Sequence, residues 1–158
     1  MSGTVIQNKT IKELAELRLV GFRVLCSGDQ YLVEIPKASL RLCERISEIK
    51  HVVNPIEQFG AFVVENDTAN EDGYWVCVEV KEYEDIPNDM VTLTIPPQKY
   101  AAMRHKGSNY KIMEAYNDLH KWIEDNNFVR LKNKWHIERF YDWKDIEKLD
   151  VELLDTIE

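Results

Sequence analysis

The octapeptide HIERFYDW at residues 136–143 places one carboxylate, Glu138, in a strand-like run of aromatic, aliphatic and long side chains. Strand alternation sends His136, Glu138 and Phe140 to one side and Ile137, Arg139 and Tyr141 to the other. Two readings of Glu138 follow. On a solvated face it pairs with a neighbour such as Lys132 or Lys134, the usual state of a strand glutamate. Walled by rings, with Phe59, Trp75, Tyr110, Trp122 and Phe140 as the candidates, it loses hydration and its pKa rises. An organic cation then restores the charged form. Each ring face adds roughly 0.5–2 kcal/mol of cation–π attraction, and the apolar body of the ligand contributes about 25 cal/mol per Å² buried. Such a pocket selects flat, greasy, positive compounds with little demand for exact shape. The alternative for Trp75, Trp122 and Trp135 is a place in the core. For Trp122, one position before Ile123 on a helical stripe, packing is the favoured role, whereas Tyr110, in the first turn of a helix, can overhang a groove.

Other chemistries find less support. His51, His105, His120 and His136 form no i, i+4 pair and have no cysteine at zinc spacing, so neither a metal site nor a cofactor is expected. Cys26, Cys43 and Cys77 are odd in number, form no C-x-x-C pair and sit in apolar stretches, which predicts buried free thiols in a reducing cytosol. Nothing brings Cys43 or Cys77 to a histidine, and no G-x-S-x-G, Walker or G-x-G-x-x-G run is present. No catalytic residue is therefore assigned; Glu138 is the candidate should there be one, as a general base. The 158 residues carry 28 acidic against 20 basic side chains, a net charge of −8, with no Lys/Arg block. That balance argues against nucleic acid as a direct partner. With 44% apolar and 30% charged residues, no apolar run of membrane-spanning length and no apolar signal core in MSGTVIQNKT, a cytoplasmic protein without membrane contact is expected.

The elements that must position Glu138 follow a repeating order. Residues 11–26 read as one long strand bent near Gly21. After the Ser27-Gly28-Asp29 turn, Pro36 opens a helix whose Leu42, Ile46, Ile49 and Val53 share one face, and Asn54-Pro55 ends it. FGAFVVEN (59–66) and GYWVCVEV (73–80) are strands joined by the polar loop 67–72. The order then recurs. Residues 91–105 form a strand broken by Pro96-Pro97, and Ser108 is a helix N-cap. Ile112, Tyr116, Leu119 and Ile123 repeat the apolar spacing, and KWHIERFYDW and LDVELLDTI supply closing strands. One α+β domain is predicted, with repeat units at about 10–82 and 90–157. Their sheets pair about a pseudo-twofold axis as one antiparallel, barrel-like sheet, with both helices on one face and a groove between them.

The sequence resembles the GyrI-like (gyrase-inhibitor-like) effector-binding domains, relatives of the ligand-sensing halves of bacterial MerR- and AraC-type multidrug-sensing transcription regulators. The resemblance spans Thr10 to Ile157. IKELAELRLVGFRV, EIPKASLRLCERISEI and the FG of FGAFVVEN carry its first half, and YWVCVEV, IPPQKYAAMRHKG, YNDLHKWI, IERF and DVELL the second. It implies a pocket for hydrophobic, often cationic compounds, lined with aromatics around one buried glutamate. That glutamate falls on Glu138 and the aromatic ahead of the strand glycine on Phe59. The chain departs from the family pattern at Gln98-Lys99-Tyr100, where a glycine often precedes the aromatic, and at Phe140, where a tyrosine often stands. The expectation is an effector domain alone, with no DNA-binding domain ahead of residue 10. Two alternatives remain open: hydrolysis of strained, cyclopropane-type electrophiles with Glu138 as base and Tyr141 or Tyr110 as acid, and interaction with DNA gyrase through the acidic exterior.

Overall fold

The computed structural model describes residues 8–66 and 68–158. The leader reading of residues 1–7 and the place of Asp67 in the hairpin loop lie outside the described residues. In chain order the elements are β1 (Lys9–Leu14), β2 (Leu17–Val24), α1 (Tyr31–Glu44), β3 (Gln58–Val63), β4 (Tyr74–Glu79), β5 (Val91–Ile95), β6 (Gln98–Gly107), α2 (Ile112–Asp125), β7 (Trp135–Asp142) and β8 (Leu149–Ile157). All eight strands among the described residues form one antiparallel sheet in the order β1-β6-β8-β7-β3-β4-β2-β5. Exchanging β1 with β5, β2 with β6, β3 with β7 and β4 with β8 returns the same order reversed, which is the pseudo-twofold expected from the repeat.

Each predicted long strand is two strands. The second breaks at Pro96-Pro97 as expected, but the first bends at Ala15-Glu16 and not at Gly21. Gly21 instead lies inside β2 opposite Cys77, where an added Cβ would stand 2.0 Å from the Val76 carbonyl oxygen. A side chain is excluded there by close backbone approach. β1 pairs with β6 and β5 with β2 in one uninterrupted register, Leu14 opposite Gln98 and Leu17 opposite Ile95. The two bent strands therefore run as a single ladder from one half into the other and bring the sheet round on itself.

That curvature makes an interior. Leu17, Leu19, Phe59, Ala61, Trp75, Cys77, Ile95, Tyr100, Ala102, Ile137 and Leu154 form a buried cluster on the inner face. The outer face carries the helices. Leu42 of α1 is buried over Val20, Phe22, Val76 and Val78. Ala115, Leu119 and Ile123 of α2 are buried over Ala101, Met103, Val151 and Leu153.

Helix α1 corrects the sequence reading at both ends. It starts at Tyr31, so Pro36 is internal, and it stops at Glu44, with a separate 3₁₀ turn at Ile46–Glu48. Val53 lies beyond both and is exposed. Pro36 has no N–H for the Leu32 carbonyl one turn back, and Leu32 faces open space at 55% exposure, where water can serve that carbonyl. Helix α2 keeps its predicted register. Ser108 accepts a hydrogen bond from the Tyr110 amide at 3.2 Å, capping the 3₁₀ turn Asn109–Lys111 that leads into the helix. Among the described residues no helix is long and apolar enough to cross a membrane.

Candidate functional site

The two halves meet where β3 pairs with β7, and Gly60 stands directly opposite Glu138 at that seam. Alternation puts Glu138, His136 and Phe140 on one side, as the sequence reading expected, and that side is the helix-bearing face. Glu138 is 8% exposed and forms no ion pair with a basic side chain among the described residues. Its carboxylate accepts two phenolic hydrogen bonds: the Tyr74 hydroxyl donates to Oε1 at 2.5 Å and the Tyr116 hydroxyl to Oε2 at 2.6 Å. Tyr74 comes from β4 in the first half and Tyr116 from α2 in the second, so each half supplies one donor. A Cβ on Gly60 would stand 1.6 Å from the Tyr74 hydroxyl. The missing side chain is the space through which Tyr74 reaches the carboxylate.

Burial pushes the Glu138 carboxyl above the usual carboxylate range, and the two phenol donors pull it part of the way back. Burial, reinforced by the neighbouring Glu138 charge, drives both phenols well above their ordinary pKa and keeps them protonated as donors. The Glu138 charge is thus held by neutral dipoles, with no ion pair to a cationic side chain among the described residues.

A groove of about 640 Å³ opens over Glu138 between the N-terminal ends of the two helices, within the roughly 300–1,000 Å³ typical of small-molecule sites. Tyr31, Leu32 and Ile35 of α1 wall one side and Ile112, Met113 and Tyr116 of α2 the other. A smaller recess of about 100 Å³ continues past Glu138 to Phe140, Trp143, Ile146 and Leu149. Beyond Tyr116 in the other direction lies Asp155, which is fully buried. It accepts a hydrogen bond from Arg130 Nε at 2.9 Å on Oδ1 and faces His120 Nε2 at 2.7 Å on Oδ2. Burial acts to push this carboxyl up, but the His120 and Arg130 hydrogen bonds outweigh it and hold Asp155 low. His136, 1% exposed, is pushed down by burial and stays neutral; its Nε2 donates to the Leu131 carbonyl at 3.1 Å.

Of the six residues singled out from sequence, Glu138 lines the groove and Phe140 the recess that continues from it. Phe59 and Trp75 lie across the sheet in the inner cluster, where Trp75 meets Trp135 edge-on at 4.9 Å. They alternate with Gly60 and Tyr74, and it is the latter pair that faces the groove. Trp122 packs on Phe128 at 5.9 Å on the flank of α2. Tyr110 is 70% exposed outside the groove lining. Tyr141, the alternative acid, lies on the inner side with its hydroxyl 3.4 Å from Glu152. Sequence reasoning passed over Tyr74, Tyr116 and Trp143. Tyr116 was visible only as a member of the apolar stripe, and Tyr74 was hidden beside the larger Trp75. The signal that could have found Tyr74 is its neighbour in the sheet, the glycine of FG, which makes room for a ring.

Comparison with known proteins agrees with this fold. No curated protein matches the chain in sequence. Among solved structures, SAV2435 bound to tetraphenylphosphonium superposes with a TM-score of 0.71 at 18% identity, over 96% of this chain and 94% of that one. The EcmrR chain of an EcmrR–DNA complex superposes at 0.66 and 18% identity over 95% of this chain, which spans only 57% of EcmrR. The EcmrR C-terminal domain alone matches at 0.65 and 16% identity, over 98% of this chain and 99% of that one. The sequence pattern of the GyrI-like small molecule binding domain matches residues 7–154, and the chain belongs to that family.

Proposed function

We propose that the groove captures hydrophobic organic cations and that Glu138 is the charge-matching group. The observation that carries this reading is a buried carboxylate at the floor of a largely apolar groove, held by two neutral phenols and forming no ion pair with a basic side chain among the described residues. A desolvated anion with dipolar donors but no counter-ion is under-compensated, and a ligand cation is the species that completes it. The rings of Tyr31, Phe140 and Trp143 add faces against which a flat cation packs. A similarly folded protein carries a lipophilic cation, tetraphenylphosphonium. The wall is therefore assigned to Tyr31, Phe140 and Trp143 in place of Phe59, Trp75, Tyr110 and Trp122.

The test uses one shape with two charges. Tetraphenylphosphonium should bind and tetraphenylborate should not, and Glu138→Gln should weaken the phosphonium about tenfold or more, a loss of about 1.4 kcal/mol. Equal weak binding of both ions to the wild type, or a phosphonium affinity indifferent to Glu138→Gln, would sink the reading.

The paired phenols also favour a second reading, hydrolysis of a strained electrophile. Glu138 would take a proton from a water whose oxygen bonds to a ring carbon, and the strained C–C bond would break. Tyr74 or Tyr116 would protonate the departing carbon, and the phenolate would recover its proton from Glu138. Incubation with an activated cyclopropane separates the two, since a binder returns the compound unchanged.

A further inference from the structure

The groove has a second pole that the capture of a simple cation leaves unused. Along α2, Tyr116 and His120 are one turn apart and face the sheet in succession. Tyr116 meets Glu138, and His120 meets Asp155. On β7, His136 is two residues from Glu138, a separation of roughly 6–7 Å along the strand. The polar side chains lining the groove at this end are His120, Arg130, Lys132, His136 and Asp155, beside Phe62, Val63 and Val64, so among the described residues its one acidic lining member is Asp155. That carboxylate is already spoken for, since Arg130 Nε and His120 Nε2 occupy its two oxygens. Arg130 uses one of its donors on Asp155, and its terminal Nη groups make no hydrogen bond among the described residues. Lys132 is 47% exposed, and its one ion pair among the described residues is a loose approach to Glu65 at 3.9 Å. Once the Arg130–Asp155 pair is cancelled, this end holds the positive charge of Lys132, only loosely met by Glu65, beside unused guanidinium donors.

From this arrangement we propose that the groove is built for amphoteric ligands: elongated apolar compounds whose cationic centre lies on Glu138 and whose carboxylate reaches Arg130 and Lys132. The inference rests on the cation reading of Glu138 and extends it. A cation lengthened toward this end by apolar groups alone meets like charge from Lys132. One bearing a carboxylate is attracted at both ends and fixed in direction along the groove. Asp155 serves as a positioning residue: buried between Arg130 and His120, it orients the guanidinium so that a planar pair of donors points at the ligand. Both poles line the same groove of about 640 Å³, the space in which an aromatic zwitterion would lie.

Rhodamine B and its ethyl ester make the test, because they differ only in whether the carboxylate is free. Fluorescence anisotropy with the 158-residue chain is expected to show the free acid binding more tightly than the ester, with both weakened by Glu138→Gln. Lys132→Gln, at an exposed position that does not endanger folding, and Arg130→Lys, which keeps the charge opposite Asp155 but loses the planar fork, should each weaken the free acid about threefold or more and erase its advantage over the ester. If both dyes depend on Glu138 but respond alike to Lys132→Gln and Arg130→Lys, the second pole is no part of recognition and the proposal falls alone. If neither dye depends on Glu138, the cation reading fails and takes this proposal with it.

Discussion

At the scale of single residues, the chemistry turns on how Glu138 is held. A hydrogen bond to a charged acceptor contributes about 1.5–3 kcal/mol, and Glu138 has two, from Tyr74 and Tyr116. These donors favour the carboxylate against burial, which favours the acid. Removing one with Tyr74→Phe or Tyr116→Phe should therefore raise the Glu138 pKa further. The pH below which tetraphenylphosphonium no longer binds should move upward in each variant, and an unchanged midpoint in both would show that the phenols do not set the charge. His136 makes a separate pH prediction. Its pKa is lowered by burial, so just below the ordinary histidine value the unfolded chain holds a proton that the folded chain lacks. Stability from this group is complete above about pH 6.5 and falls as pH drops toward the depressed folded value, with a slope of up to about 1.4 kcal/mol per pH unit. Glu138, with a raised pKa, acts in the opposite sense, its burial costing stability as pH rises through its folded value. Comparing wild type with His136→Gln isolates the histidine: the variant's thermal melts should lose this acid sensitivity, and parallel pH profiles would refute it.

At the scale of elements, the packing explains which parts of the site could be read from sequence. The apolar register of α2 and the Pro96-Pro97 break were legible because local patterns decide them. The register also implied the face of Glu138 relative to its neighbours, since alternation fixes who shares a side. What alternation leaves open is which side carries the helices. Both faces of this sheet are apolar, one curling on itself and one covered by helices, so Phe59 and Trp75 looked as eligible as their neighbours. The start of α1 was missed for a different reason. Pro36 reads locally as a first-turn residue, but the 3₁₀ turn Gly28–Gln30 runs straight into helix, and packing of Leu42 and the residues around it outweighs one lost hydrogen bond. Gly60 gives the element-scale prediction. Gly60→Ala forces a Cβ against the Tyr74 ring, and overpacking of this kind costs about 1–3 kcal/mol. Because the ring must move off Glu138 to relieve the clash, the variant should also lose phosphonium affinity beyond that of Tyr74→Phe. Wild-type stability and affinity would contradict the geometry.

At the scale of the whole molecule, the binding site belongs to neither half. Glu138 and Tyr116 come from the second, Tyr74 and Gly60 from the first, and the groove walls are one helix from each. The uninterrupted β1–β2 and β5–β6 ladder carries a consequence of its own. Each half lends its first strand to the other, β1 to β6 and β5 to β2, so a half taken alone has an unfilled edge and a stray strand. Severing the chain within residues 81–90 should yield two fragments that show no cooperative melting apart. Mixed in equal amounts, they should clasp one another, recover a sharp transition and regain the capacity to take up the phosphonium; a fragment that melts cooperatively by itself would show that the embrace is dispensable.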